Sequence, residues 1–86
     1  MPPVPVPDAE VLFQQALRLH GLRFRRHLKQ KDVASQAGLS PVRLSRIEQG
    51  RSGITLAEVA KLMRVYRCQP WDIAPELALH DVHEDT

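Results

Sequence analysis

Between Gln30 and Gly50 the apolar positions recur with a helical period that is broken once, at a turn. Val33, Ala34 and Ala37 form an i, i+1, i+4 stripe, Gly38 follows as a residue able to take the left-handed conformation that closes a helix, and Leu39 plugs the turn. Ser40-Pro41 then restarts a helix, because a serine oxygen accepts an orphan backbone N–H and a proline at the first helical position removes an N–H that had no partner. In this second helix Leu44 and Ile47 share one face, whereas Val42, Ser45, Arg46 and Gln49 share the opposite one. A guanidinium, an amide, a hydroxyl and a small branched apolar group are the side-chain types that read base edges in a DNA major groove.

The same period extends the pattern in both directions. A first helix is expected from Asp8, a good N-cap, to about Arg26, with Leu12, Phe13, Ala16, Leu17, Leu19 and Phe24 on a wide apolar stripe. Gln14, Gln15, Arg18, Arg25 and Arg26 fall on its polar side, Leu22 points away from the stripe, and Gly21 weakens the helix midway. Arg23 and His20 lie on the stripe, and a buried arginine needs a carboxylate, for which Glu48 at the edge of the motif's core face is the candidate. Downstream, Thr55 and Glu58 form a capping box that opens a fourth helix with Leu56, Val59, Ala60, Leu62, Met63 and Tyr66 on its apolar face. Pro70 opens a short fifth helix with Trp71, Ile73 and Leu77.

The ordered set Gln30, Ala34, Gly38, Leu39, Ser40, Ile47, Glu48, Gln49 and Gly50, with Leu22-Arg23 upstream and the amphipathic helix from Thr55, resembles the lambda-repressor-like (Cro/cI-type, XRE) helix-turn-helix family over roughly residues 19–77. The resemblance implies an all-α, compact five-helix domain whose second and third helices form the motif. It also implies a structural salt bridge between Arg23 and Glu48, which makes Glu48 architectural. The chain departs from the family pattern at Lys29, where a Ser or Thr cap is usual, at Arg67, where Gly is frequent, and at Cys68, where Val is usual. Cys68 is therefore expected as a small buried hydrophobe.

Composition and charge sharpen this picture. With 86 residues, 43% of them hydrophobic, the chain has material for one small core. All 12 Lys and Arg lie between Arg18 and Arg67 against three acids, Asp32, Glu48 and Glu58, a net of +9 that the acidic flanks conceal. Such a block is the footprint expected for a polyphosphate partner. Residues 1–7, four of them proline, are expected to form an extended arm, residues 8–79 the DNA-binding domain, and residues 80–86 an acidic tail. No apolar run suits a membrane span or a signal peptide, and the one cysteine has no internal partner, so a cytoplasmic protein, bacterial or phage-encoded and nucleoid-associated, is expected.

The expected partner is double-stranded DNA, with no cofactor, metal, membrane or catalytic role. Base reading is assigned to Val42, Ser45, Arg46 and Gln49, with Arg46 bidentate on guanine and Pro41 contributing shape, since it cannot donate. Phosphate anchoring is assigned to Lys29, Gln30, Lys31, Arg43, Arg51 and Ser52. One domain of this size covers too few base pairs for specificity, so a homodimer on an inverted repeat is expected; the extra apolar width of helix 1 at Phe13, Leu17 and His20 and the C-terminal region around Trp71, Leu77, Leu79 and Val82 both offer a pairing surface, and the resemblance favours the C-terminal helix and tail. The alternative is an antitoxin that uses its arm or tail to hold a toxin or another regulator. An enzyme or metal reading has only His80-x-x-His83, His20, His27 and Cys68 to draw on, and no third ligand sits near the histidine pair.

Overall fold

In the computed structural model, described here over residues 9–77, the chain builds α1 (Ala9–Arg25), α2 (Gln30–Ala37), α3 (Pro41–Glu48) and α4 (Leu56–Tyr66), then a single 3-10 turn at Pro70–Asp72. A further helical turn opens at Pro75. The Pro-rich arm, the expected cap Asp8, and Leu79, His80, Val82 and His83 lie outside the described residues. Among the described residues there is no strand, and no helix is long and apolar enough to cross a membrane.

Local chemistry places the helix ends. Ser40 Oγ accepts the Arg43 N–H at 3.0 Å, and Thr55 and Glu58 exchange both bonds of their box, at 3.2 and 2.9 Å. Lys29 caps α2 with no side-chain bond, yet α2 still begins at Gln30. Each of the four helices is followed by a left-handed residue: His27, Gly38, Gly50 and Arg67. After α2 this geometry turns the Leu39 N–H back onto the Ala34 carbonyl at 2.9 Å, the bond that folds α3 under α2. Arg67 accepts at φ 52° a conformation that favours glycine, and the helix still closes through the Cys68 N–H onto the Met63 carbonyl.

Leu19, Leu22, Val33, Leu44, Ile47, Leu62, Tyr66 and Ile73 form the centre of the core, with α1 on α3, and α2 packed on both α3 and α4. The buried face of α1 differs from the sequence expectation. Gln15, Ala16, Leu19 and Leu22 are buried, whereas Phe13, Leu17 and Phe24 are 55%, 50% and 75% exposed. The expected stripe spans about 160° of the helix, and the buried face is centred roughly 80° to one side of it, so that Gln15 and Leu22 turn in and Phe13, Leu17 and Phe24 turn out. Gln15 wins a buried place because both ends of its amide are used: its oxygen accepts the Ile54 N–H at 3.2 Å and its nitrogen donates to Glu76 at 3.4 Å.

Two smaller corrections belong here. The expected fifth helix is split into the 3-10 turn and the later turn at Pro75, which Arg18 ties to α1 by donating to Glu76 at 3.1 Å and to the Ile73 carbonyl at 3.3 Å, while Trp71 is exposed, in keeping with its expected place on spare apolar surface. Cys68 is half-buried against the core rather than enclosed, and that partial burial raises its thiol above the usual range. Gly21 does not break α1. Nothing lies within 4 Å of the position a Cβ there would take. Gly21→Ala is therefore expected to stabilise the fold by about 0.5–1 kcal/mol, read as a higher thermal midpoint, and a lower midpoint would contradict this account of α1.

Candidate nucleic-acid interface

The outward face of α3 follows from what its inward face must do. Leu44 and Ile47 are fully buried against α1 and α2, so the residues half a turn away are turned out. Pro41, Val42, Arg46 and Gln49 are exposed and Ser45 is half-exposed, which puts the five expected base readers on one accessible surface. Val42 is 65% exposed, a poor place for a branched apolar side chain unless something apolar meets it. Gln49 Nε2 donates to Ser45 Oγ at 2.8 Å, so these two side chains are already ordered as a pair. Arg46 has no ion-pair partner among the described residues.

Beneath this surface lies a buried charge cluster. The Glu48 carboxylate is fully enclosed, and the Arg23 guanidinium meets it with Nε and Nη2 at 3.0–3.2 Å while Nη1 donates to the Leu28 carbonyl at 3.0 Å. Gln30 Nε2 adds a third donor at 3.1 Å, and His20 Nε2 stands 3.6 Å away. One carboxylate thus locks α1, the start of α2 and the end of α3 together. Gln30, expected on a phosphate, has its amide nitrogen turned inward instead, and what it leaves outward is the N-terminus of α2 between exposed Lys29 and Lys31. A helix start with no side-chain cap and flanking cations is suited to a phosphate.

Arg43 also departs from its expected place. Its guanidinium folds back from α3 onto Glu58, with Nε and Nη2 at 2.6 and 2.8 Å from the two carboxylate oxygens, and onto the Ser52 hydroxyl and the Gly53 carbonyl. The contact braces the loop that carries exposed Arg51. The local sequence shows Glu58 as a helix cap, and nothing near it shows that its carboxylate also faces a residue 15 positions earlier. Arg43 and Ser52 are therefore occupied by this clasp, whereas Arg51 has no such tie among the described residues.

The Arg43 hydrogen bond holds the Glu58 carboxyl down at about 2, against a burial effect that would raise it, and Glu58 in turn raises Arg43. A carboxyl lowered on folding stabilises the protein above its unfolded pKa, and that contribution fades as pH falls from about 4.5 towards 2. Glu58→Gln is accordingly expected to flatten the loss of thermal stability over that interval while lowering stability at neutral pH. Equal acid sensitivity in variant and parent would remove the clasp from the energetics.

A sequence model for a helix-turn-helix domain matches residues 15–75, most of the chain. The chain belongs to the helix-turn-helix domain family. Three solved structures share the fold of this helix-turn-helix domain. The restriction-modification controller protein C.AhdI from Aeromonas hydrophila is similar at 26% identity over 72% of this chain and 94% of that one, with a TM-score of 0.69. The hypothetical transcription factor NHTF from Neisseria aligns at 22% identity over 93% and 95%, TM-score 0.69, and the clp gene regulator ClgR from Corynebacterium glutamicum at 21% over 94% and 88%, TM-score 0.66. At those identities the last two speak for the fold alone. No curated protein matches the chain. Helix-turn-helix domains of this architecture bind DNA with the second motif helix, here α3, against the major groove.

Proposed function

We propose that this protein is a sequence-specific regulator of transcription that reads double-stranded DNA through α3 and acts as a homodimer on an inverted repeat. The observation that carries the reading is the exposed surface of Val42, Arg46 and Gln49 on a helix whose other side is locked into the core, within a segment of net charge +9. The likeness to a restriction-modification controller protein supports the same class.

In this reading Arg46 forms the bidentate bond to guanine, Val42 meets a thymine methyl, Pro41 shapes the entry of α3, and the Ser45–Gln49 pair presents an amide and a hydroxyl to neighbouring bases. Lys29, Lys31, Arg51 and the backbone at the start of α2 hold phosphates. Gln30, Arg43 and Ser52 act one step back, by fixing those elements in place. Two copies would set their α3 helices about 34 Å apart, one turn of the duplex. The regulator would work by occupancy in the cytoplasm, on the nucleoid, from residues 8–79 between the arm and the acidic tail.

Selection of bound sequences from random duplexes, followed by footprinting, tests this directly. The expected result is an inverted repeat, and retention of all sequences alike would overturn the specific reading. In the same assay Arg51→Ala is expected to weaken every sequence equally and to lower the slope of log affinity against log salt by about one. A loss confined to one base position would instead make Arg51 a reader.

A further inference from the structure

α1 presents apolar side chains on two faces, and the core uses only one of them. Phe13, Leu17 and Phe24 fall within roughly 40° of each other on the helix surface, on the side away from Leu19 and Leu22. All three are at least half exposed, Phe24 three-quarters so, and exposed His20 continues their stripe. Two phenylalanines and a leucine aligned in water along one helix mark a surface that something covers.

We propose that a second copy of this chain covers it, by antiparallel packing of α1 against α1 about a two-fold axis. The charges along the helix select this occupant. Exposed Glu10 stands at the N-terminal end of the stripe, and exposed Arg25, about 100° round the helix from Phe24 on the same side as Glu10, flanks its C-terminal end. In the antiparallel register that sets Phe24 of one copy against Phe13 of the other, Glu10 of each copy comes level with residue 27 of its mate, about 3 Å along the axis from Arg25 and within reach of that long side chain, and this occurs twice. The helix dipoles also run in opposition. A parallel pair would bring like ends together, and a partner of uniform charge would be attracted at one end and repelled at the other. The stripe faces away from α3, so pairing leaves Val42 and Arg46 uncovered.

This assigns the dimer surface of the proposed regulator to α1 instead of the C-terminal region expected from sequence. At these exposures the three side chains offer roughly 300–400 Å² per copy, so a pair lies below the roughly 1,200–2,000 Å² of a standard interface and its association is weak and concentration-dependent. Exposed Leu56 and Trp71 lie on other elements and serve as the competing surface.

Sedimentation of the full chain without DNA, over a range of concentrations, reads the pairing independently of any operator, so its failure leaves the DNA reading standing. The wild type is expected to pass from monomer to dimer. Phe24→Asp and Phe13→Asp should each weaken association at least tenfold with unchanged helical circular dichroism, since neither side chain is in the core. Glu10→Lys and Arg25→Glu should each weaken it several-fold, and the double variant Glu10→Lys/Arg25→Glu should restore it. The proposal is overturned if the wild type stays monomeric throughout, if Leu56→Asp abolishes a dimer that Phe24→Asp leaves intact, or if the double charge exchange fails to rescue.

Discussion

Glu48→Gln is expected to cost about 3–5 kcal/mol of folding stability, the range for removing one member of a buried ion pair. The substitution keeps the shape of the side chain and takes away its charge, so the Arg23 guanidinium, which has few other acceptors, is left enclosed with the Leu28 carbonyl and a neutral amide. Gln30 and His20 then share a single uncharged amide oxygen with Arg23. A domain of this size is stable by only about 5–10 kcal/mol, so the variant should be largely unfolded at physiological temperature, as urea titration would show. Replacing both partners by apolar residues, Arg23→Met with Glu48→Leu, should be milder than either single change, because no charge is then stranded. If Glu48→Gln unfolds at the same urea concentration as the parent, the cluster does not hold the three helices together.

Arg46→Ala is expected to lose about 1–3 kcal/mol of operator affinity, ten- to a hundredfold, and to relax the preference at a single base position. Arg46 is exposed on α3 with no ion pair to keep it on the protein, and its own backbone carbonyl accepts the Arg51 N–H at 3.0 Å, which links the reader to the start of the phosphate-facing loop. The variant should therefore fold normally, and its salt slope should change less than its discrimination. Titration against single-base operator variants distinguishes this outcome from a uniform loss, which would move Arg46 among the anchors.

The parts of the molecule that sequence made legible are those governed by neighbours in the chain. Ser40 and Thr55 cap their helices, Gly38 turns left-handed, and Leu44 and Ile47 point inward because each depends on residues within a turn or two. What escaped depends on distant partners. The face of α1 is chosen by α3 and by the Pro75 turn, so a periodicity that admits either Phe13 or Gln15 as core cannot decide between them. Likewise nothing near Arg43 announces Glu58, and an arginine on a DNA-facing helix reads as an anchor until the clasp is seen. The extra apolar width of α1 at Phe13 and Leu17 is visible in the residues as surplus over what the core needs, whereas which flank of the stripe is buried is settled only by α3 and the Pro75 turn.

Gln15 has a consequence for the two ends of this small protein. Its amide joins the loop at Ile54 to Glu76, which Arg18 also grips, so the last described turn is stitched to the first helix through buried polar bonds. Shortening the chain ahead of Ile73 would strip Arg18 and Gln15 of their acceptors and loosen the opposite terminus as well. Proteolytic removal of the turn at residues 75–77 is therefore an event that α1 registers, and these two segments should open together in hydrogen exchange.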